Sequence, residues 1–421
     1  MTKGWGHSDM AQITTSDLTM MAVYEPEYVV DPYPLYRRIR EVSPVFWDRH
    51  MGEDGAWMVT GYDAAIQALR DPRLSARRAQ WDPSRAPAGS PPQVASSLKA
   101  LAEQVFVADP PQHTRLRKLM AKPFLPRAVE KMRPEIEQVG NELLDRVAGR
   151  GEMDFMGEFA MALPSAMVCK VIGVPQSDRD KVWKRILSWG VLVDGGPLSR
   201  EHPEFHLANL GKYMDYFREQ IALRRENPTD DLLGVLAAAD AEGGFDSEEE
   251  LLGNLIFLLT AGQTTTAHQI GNTALSLLAN PEVFERIAAE PSLVPDATPE
   301  FMRYDSSVQL TKRRASEAVE LAGQQIEAGQ ELFVWMGAAH RDPAKFPDPD
   351  RLDPDREPVQ NLSLGHGIHY CLGGQLGQLV NETAIRLFAE RIPNPKVDLD
   401  GVHRTATPTF RGPHVVPLTF G

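Results

Sequence analysis

Apolar residues recur at helical spacing through most of the middle of the chain, from about Ser97 to Ser306. That period predicts a run of amphipathic helices. The longest of them is predicted over Glu248–Asn280, because Pro281 cannot continue a helix. A short helix is predicted earlier, over Tyr33–Glu41, and a later one over Leu372–Leu387.

Strand-like segments flank this helical part. Val45–Trp47 and Ala56–Thr60 are rich in aromatic and β-branched residues, and a glycine-containing turn separates them. A strand-rich island runs from Val308 to Trp335, and a coil rich in proline and aspartate follows from Asp342 to Leu364. The whole pattern predicts a mainly α fold with small β-sheets.

The chain has 421 residues, more than a single hydrophobic core usually organises. It contains no Ser/Gly-rich linker and no internal repeat. The proline-rich stretch Trp81–Pro92 is the best candidate for a break, but a break there would leave a poor N-terminal fragment. We therefore expect one large domain over residues 1–421, with residues 1–25 partly disordered.

Composition narrows the functional classes. The net charge of −14 argues against general affinity for nucleic acid. The longest apolar segment, Leu251–Leu259, is too short to cross a bilayer, and residues 1–10 lack an apolar signal core. Two cysteines cannot build a disulfide scaffold. These features predict a cytoplasmic protein without nucleic-acid or membrane partners.

Cys371 stands between a glycine-rich turn and an apolar, helix-like run, with His366 and His369 close to it. Helix-terminal amides favour a thiolate, and glycines let the backbone approach a large flat group. An inert buried cysteine is the usual interpretation, but it does not explain the glycines. Zinc would need a fourth ligand, and Cys169 lies in an apolar run. A thiolate on haem iron needs no second protein ligand.

The stretch Leu364–Gly373 closely resembles the haem-binding loop of the cytochromes P450, whose pattern is Phe-Gly-x-Gly-x-His-x-Cys-x-Gly. The matching residues are Gly365, Gly367, His369, Cys371 and Gly373. Leu364 departs from it, since the family usually has a phenylalanine that shields the sulfur. The resemblance implies haem b (iron protoporphyrin IX) with the Cys371 thiolate as metal ligand and Leu364, Gly365 and Gly373 against the cofactor. It also implies the cytochrome P450 fold, with a long central helix over a buried haem.

The middle of the long predicted helix reads Ala261-Gly262-Gln263-Thr264-Thr265-Thr266, an unusual choice for a helix interior. Glycine costs about 1 kcal/mol against alanine there, and threonine hydroxyls compete for the backbone carbonyls. The residues alone leave two interpretations open. One is a merely weak turn, and the other is a locally opened turn that presents a hydroxyl to a small ligand.

Cytochromes P450 carry Ala/Gly-Gly-x-Asp/Glu-Thr at the corresponding place. By that resemblance Thr265 contacts dioxygen, Ala261 lies against the cofactor, and Thr264 occupies the position of an acid that feeds protons. We expect water, Gln263 or a hydroxyl of the substrate to complete the proton relay. Thr265, Thr264 and Gln263 are therefore the catalytic candidates.

Glu300 and Arg303 lie one helical turn apart and can form an ion pair, as very many surface residues do. The family has Glu-x-x-Arg here, locked to a later arginine from a proline-rich segment. By resemblance Arg356 is that third member. Two arginines on one carboxylate form a rigid brace, which we expect to hold the cysteine loop. His340 replaces an asparagine of the family between the two parts.

The stretch Asp109–Arg117 resembles the family's Asp-Pro-Pro-x-His-Thr-Arg-Leu-Arg. Haem carries two propionates that need cationic partners. By resemblance these partners are His113, Arg117, Arg313 and His369, and the first two share one helix face. Any one of them alone is equally compatible with an ordinary surface charge.

A basic run lies between His113 and Arg133, with Glu130 as its acidic member. Its residues are Arg115, Arg117, Lys118, Lys122, Arg127, Lys131 and Arg133. Such a run is by default a solvated helix face. In the family, however, this helix lies on the cysteine side of the haem, where a basic patch would attract an acidic electron carrier. We expect ferredoxin, with its ferredoxin reductase, as the electron donor.

Substrate pockets in the family are lined by the loop before the propionate helix, the long helix, the segment after Glu-x-x-Arg and the C-terminal turn. The corresponding candidates here are Val107, Phe257, Leu258, Val308, Gln309, Leu310, Phe410 and Arg411. Gln309 and Arg411 indicate a substrate with polar groups. The stretch Gly190–His206 is expected to form a mobile lid.

The resemblance extends from about Pro26 to Phe420 and implies a monooxygenase. It would oxidise a small organic molecule, such as an intermediate of secondary metabolism, with dioxygen and electrons. Oxidative coupling or ring closure without oxygen insertion is the alternative, because Thr264 replaces the acid. A haem-based ligand sensor is the third reading, which Thr265 and the basic run disfavour.

Overall fold

The structure is a computed structural model that describes residues 18–52, 54–85, 91–194, 202–357, 360–404 and 407–421. Its α-helices are α1 (Pro26–Val30), α2 (Tyr33–Val42), α3 (Tyr62–Arg70), α4 (Pro92–Ala102), α5 (Gln112–Met120), α6 (Pro126–Glu130), α7 (Arg133–Asp145), α8 (Ala162–Ile172), α9 (Arg179–Asp194), α10 (Pro203–Glu226), α11 (Leu232–Ala241), α12 (Glu248–Leu278), α13 (Pro281–Ala289), α14 (Val294–Tyr304), α15 (Met336–Ala339) and α16 (Gly374–Arg391). Its strands are β1 (Val45–Asp48), β2 (Ala56–Val59), β3 (Leu74–Ser75), β4 (Glu152–Asp154), β5 (Leu310–Ala315), β6 (Val319–Leu321), β7 (Gln324–Ile326), β8 (Glu331–Trp335), β9 (Lys396–Val397), β10 (His403–Arg404), β11 (Pro413–Val415) and β12 (Pro417–Thr419).

The prediction of a mainly α fold with small sheets is confirmed. The largest sheet has five strands in the order β1-β2-β8-β5-β3. Its strands β2 and β8 run parallel, and its other neighbours are antiparallel. Three smaller sheets pair β10 with β11, β6 with β7, and β12 with both β4 and β9. The strand β4 was not predicted, because it is a three-residue segment inside a helical pattern.

The helix α12 runs through the largest hydrophobic cluster of the protein and packs against α4, α8 and α16. Ser247 caps its start, accepting a hydrogen bond from the N–H of Glu250 at 3.2 Å. Gly253 allows α12 to cross α4 closely, since a Cβ at this position would lie 2.1 Å from the carbonyl oxygen of Ala100. The helix is continuous from Glu248 to Leu278, so the locally opened turn predicted near Gly262 does not interrupt it.

Two predictions fall partly outside the described residues. Of the N-terminal segment 1–25, residues 1–17 lie outside the described residues. Met20–Tyr24 forms a 3₁₀ helix whose Met20 and Val23 side chains are buried. Of the proposed lid, residues 195–201 are outside, whereas its flanks end α9 and begin α10. No helix in the described ranges is long and apolar enough to cross a membrane.

Candidate active site

A cavity lies between the cysteine loop (residues 362–374) and α12. Its wall includes Cys371 and Gly373 on one side and Ala261 and Thr265 on the other. The cavity has a volume of about 310 Å³. That lies at the lower end of the roughly 300–1,000 Å³ of an ordinary small-molecule pocket.

Backbone hydrogen bonds and two glycines shape the cysteine loop. The N–H of Cys371 donates to the carbonyl of Leu364 at 2.8 Å. Gly365 and Gly367 have φ angles of +72° and +68°, which side-chain-bearing residues rarely adopt. A Cβ on Gly367 would also lie 2.9 Å from the carbonyl oxygen of Leu69 in α3. The loop is therefore fitted closely against α3.

The sulfur of Cys371 lies in a mixed electrostatic environment. The side chain is exposed to the open cavity, but the surrounding protein desolvates the sulfur and so raises the pKa of its thiol. A hydrogen bond from the Gly373 backbone and the positive charge of Arg117 act in the opposite direction. A coordinated metal cation would tip this balance, because coordination deprotonates a thiol. The geometry is thus suited to a metal-bound thiolate.

The three brace residues come together as the sequence predicted. The buried carboxylate of Glu300 accepts hydrogen bonds from Arg303 Nε at 2.6 Å and Nη2 at 2.8 Å. Arg356 Nε donates to both of its oxygens at 3.1 Å, and the N–H of Asp353 adds a further bond at 2.9 Å. Every lone-pair direction of this carboxylate is therefore used.

The same region is joined directly to the start of the cysteine loop. Ser363 Oγ donates to the carbonyl of Met302 in α14 at 2.8 Å. The N–H of Leu362 donates to His340 Nε2 at 2.7 Å, and Arg303 donates to the carbonyl of His340 at 2.8 Å. Burial, followed by the charge of Arg303, lowers the pKa of His340 to about 3. The imidazole is thus neutral and can accept the loop's hydrogen bond.

Cationic groups converge at one edge of the cavity. His113, Arg117, Arg313 and His369 all line it, and the rings of His113 and His369 are 4.5 Å apart. Burial lowers the pKa of Arg313 to about 10. Within the described residues, neither arginine has a carboxylate at salt-bridge distance, and the buried Nε2 of His113 has no hydrogen-bond partner. A ligand with anionic groups would therefore find positive charge and hydrogen-bond donors at this edge of the cavity.

One face of α12 borders the cavity, and it contains Thr265 but neither Gln263 nor Thr264. Its residues are Phe257, Leu258, Ala261, Gly262, Thr265, Thr266 and Gln269, which follow helical spacing. Gln263 points to α8, where its Nε2 donates to Cys169 Sγ at 3.6 Å. Neither Gln263 nor Thr264 lines the cavity, and their part in the proton relay stays a prediction.

Comparison with known proteins identifies the family. A family model described as "Cytochrome P450" matches residues 208–387. Cytochrome P450 107B1 of Saccharopolyspora erythraea is 38% identical over 393 residues, which cover 91% of this chain and 93% of that protein. The chain belongs to the cytochrome P450 family.

Two further comparisons agree with this assignment. The 6-deoxyerythronolide B hydroxylase of Saccharopolyspora erythraea is 36% identical over 379 residues, or 88% of this chain and 91% of that protein. The crystal structure of P450BioI in complex with hexadec-9Z-enoic acid ligated acyl carrier protein matches with a TM-score of 0.86 and 32% identity. That match covers 94% of this chain and 100% of that one.

Cytochromes P450 are haem-thiolate monooxygenases, so this chain is an oxidoreductase with a cysteine-ligated haem. The cavity fits that cofactor on three counts. Among the described residues Cys371 is the cysteine that lines it, Arg117 and Arg313 stand at one edge without a carboxylate partner, and His113 Nε2 has no hydrogen-bond partner. Gly373 has no atom within 4 Å of where its Cβ would stand, which leaves room for a flat ring system.

Aromatic side chains close the cavity on the side away from Cys371. Phe106 stacks on Phe257 with centroids 4.8 Å apart, and Trp189 of α9 lies 5.9 Å from Phe106 and 6.4 Å from Phe410. Trp189 Nε1 donates to Gln104 Oε1 at 3.2 Å, which fixes the indole ring. Sequence reasoning missed Phe106 and Trp189, since α9 meets the cavity only through the tertiary fold.

Three of the eight predicted pocket residues do not line the cavity. Val107 is fully buried in the core, and its neighbour Phe106 takes the place expected for it. Gln309 Oε1 accepts a hydrogen bond from Tyr36 Oη at 3.1 Å instead. Arg411 pairs with the carboxylate of Asp305 at 2.6 Å. Around Gln309 and Arg411 the extended backbone alternates its side chains, so Val308, Leu310 and Phe410 face the cavity instead.

The five residues that do line the cavity are Phe257, Leu258, Val308, Leu310 and Phe410. Leu364 lines it as well, on the cysteine side. Polar members that the sequence analysis did not single out include Ser307 and Thr409. Only weak sequence signals mark these two, because each lies in a short segment without a motif. No aspartate or glutamate lines the cavity among the described residues.

Fewer cations of the basic run are free to attract a partner protein than the sequence suggests. Arg115 pairs with Glu250 at 2.8 Å, Arg133 pairs with Glu130 at 2.7 Å, and Arg117 lines the cavity. The exposed cations without a described partner are Lys118, Lys122, Arg127 and Lys131. Exposed apolar side chains accompany them, with Leu125 54%, Ile368 52% and Tyr370 37% accessible.

Proposed function

We propose that this cytochrome P450 inserts an oxygen atom into a small, largely apolar organic molecule, such as an intermediate of secondary metabolism. The aromatic lining of the cavity is the observation that carries the proposal. Phe106, Trp189, Phe257 and Phe410 present ring faces and edges, which bind apolar molecules by burial of surface. The relatives support the class, because one is named for the hydroxylation of 6-deoxyerythronolide B.

The residues assigned to the cofactor act by holding it. We propose that Cys371 ligates the iron and that Arg117, Arg313, His113 and His369 bind the propionates. When bound, haem supplies the redox chemistry that activates dioxygen. The brace of Glu300, Arg303 and Arg356 would keep the loop in one conformation, since a fully hydrogen-bonded buried network has few alternatives.

Thr265 is the proposed proton-handling group. Its Oγ1 donates to the Ala261 carbonyl at 2.8 Å, so its oxygen is free to accept a further hydrogen bond. No carboxylate in the described wall can supply protons. We therefore propose that protons pass through water and hydroxyls, including Thr265 and any hydroxyl of the substrate. The aromatic side chains would keep bulk water out.

Electrons are proposed to come from ferredoxin. Lys118, Lys122, Arg127 and Lys131 form a positive rim, and Leu125, Ile368 and Tyr370 offer apolar surface beside it. The group lies next to the cysteine loop, because α6 and the turn before it pack against α16. An acidic carrier would be steered there by charge.

Oxidative coupling or ring closure is the second candidate function. A solved relative supports it, because that cytochrome P450 is named for C–S bond formation in chuangxinmycin biosynthesis. Substrates of that reaction would leave the enzyme without a new oxygen atom. Analysis of product mass therefore separates the two functions.

The test has two stages. Candidate small molecules are first screened for shifts of the haem spectrum on binding, and those that bind are then turned over with ferredoxin and its reductase. We expect oxygenated product and a reduction rate that falls as salt rises.

Lys122→Glu should slow reduction by ferredoxin roughly fivefold. Lys212→Glu, an equal charge change on exposed α10, should leave the reduction rate unchanged. A rate insensitive to salt would refute the docking surface, and products lacking new oxygen would refute the insertion.

A further inference from the structure

Arg78 belongs to the cavity wall, although no role has been assigned to it. It follows β3, which pairs with β5 and so brings this part of the chain beside Arg313. The carboxylate of Asp109 holds the same stretch in place, accepting hydrogen bonds from Ser75 Oγ at 2.5 Å and from Ala76 N at 3.0 Å. Arg78 thus lies between β5 and the start of the helix that bears the propionate-binding candidates.

Arg77 and Arg78 point in opposite directions. Arg77 lies on the surface, where its Nε is 3.6 Å from Asp109 and its Nη2 donates to Gln112 at 3.2 Å. Arg78 lines the cavity. The backbone at Arg78 is extended, with φ −109° and ψ 107°, and extended residues alternate sides. In the part of the chain that the structure describes, Arg78 has neither a carboxylate at salt-bridge distance nor a side-chain hydrogen bond.

The arginines of the cavity wall outnumber the two propionates of haem. Three guanidinium groups line the cavity, those of Arg78, Arg117 and Arg313, and the described wall contains no carboxylate. Arg78 is half-buried. Desolvation, followed by the charge of Arg313, lowers its pKa to about 9, and the charge of Glu331 opposes this only in part. The group is still protonated at neutral pH. A guanidinium removed from water without an anion is costly, and the two haem propionates can each satisfy one arginine.

We propose that Arg78 binds a carboxylate group inside the cavity. The carboxylate belongs either to a haem propionate that Arg78 shares with Arg313, or to an acidic substrate held against the same wall. Both are arginine–carboxylate pairs, and they differ in which molecule loses affinity when the guanidinium is removed. The inference rests on the haem of the family, and the acidic substrate would narrow the class proposed above.

The test compares the holoenzyme with its Arg78→Ala and Arg78→Lys variants, and Arg77→Ala is the matched control. Each variant is first checked for the thiolate signature in its reduced, carbon-monoxide-bound spectrum, which shows that it folds and takes up haem. The rate of haem transfer to excess apomyoglobin is then measured. If Arg78 binds a propionate, Arg78→Ala should lose haem about tenfold faster than the wild type, the factor expected for one charge-assisted hydrogen bond. Arg78→Lys should recover part of this loss.

The second arm uses myristic acid and its methyl ester as probes, with dissociation constants taken from the haem spectrum. If Arg78 binds a substrate carboxylate, Arg78→Ala should weaken the acid about tenfold and leave the ester and the haem transfer rate unchanged. The proposal is overturned if Arg78→Ala keeps haem as Arg77→Ala does and shows the same acid-to-ester ratio as the wild type. Failure of oxygen insertion would affect neither arm, so the two proposals fail separately.

Discussion

The cysteine side and the substrate side of the cavity are stabilised by different interactions. On the cysteine side, Glu300 and two arginines are locked by charge-assisted hydrogen bonds, and the loop is tied to α14 through Ser363. On the substrate side, aromatic rings pack together, and Trp189 has one side-chain hydrogen bond, to Gln104. Directional networks allow one arrangement, whereas apolar packing tolerates repacking. The first suits a fixed cofactor and the second a variable substrate.

Removing the central charge of the brace should have the largest effect. In Glu300→Gln two buried arginines lose their carboxylate, which should cost about 3–5 kcal/mol of unfolding free energy and lower the haem content. Glu130→Gln is the control, because Glu130 has the same i,i+3 spacing to Arg133 but is exposed, and it should cost less than about 1 kcal/mol. Denaturant unfolding measures both, and equal losses would remove the distinction between the two pairs.

Trp189→Ala should damage the substrate side without affecting the cysteine side. Loss of a central aromatic contact should weaken binding of a substrate roughly thirtyfold, as read from the haem spectrum. The haem content and the carbon-monoxide spectrum should stay unchanged. Phe205→Ala is the control, since Phe205 is 63% exposed and should alter neither property. A fall in haem content in Trp189→Ala would show that the two sides are not independent.

Thr265→Val keeps the bulk of the side chain and removes its hydroxyl. If Thr265 handles protons, the ratio of product formed to electrons consumed should fall at least about tenfold. Thr264→Val should leave this ratio nearly unchanged, because Thr264 does not line the cavity. The same loss in both variants would indicate a general defect of α12.

His340 should make the cysteine side sensitive to acid. Its pKa is lowered from 6.5 to about 3 in the folded protein, so the unfolded chain takes up a proton first as the pH falls. Its contribution to stability is therefore complete above pH 6.5 and is lost as the pH drops toward 3. From pH 7.5 to 5.5 this loss amounts to about 1.4 kcal/mol.

His340→Asn should reduce the difference in unfolding free energy between pH 7.5 and 5.5 by that amount. Denaturant unfolding of the variant and the wild type at both pH values is the measurement. If the variant keeps the full difference, His340 is not the group that titrates.

The sequence predicted the cysteine side far better than the substrate side. Cys371, His369 and the brace residues lie in short motifs that can be recognised in a single sequence. All of them lie where these motifs predict. Trp189 and Phe106 come from distant segments that meet only in the tertiary fold, and no motif marks them. Gln309 and Arg411 were misplaced because consecutive residues of an extended segment were all expected to line the cavity, whereas such a segment turns alternate side chains to opposite sides.

Turnover of a bound substrate under isotopically labelled dioxygen tests oxygen insertion most directly. With ferredoxin as donor, we expect one labelled oxygen atom in each product molecule. A product formed with electron consumption but without label would contradict oxygen insertion and would assign the cavity to oxidative coupling or ring closure.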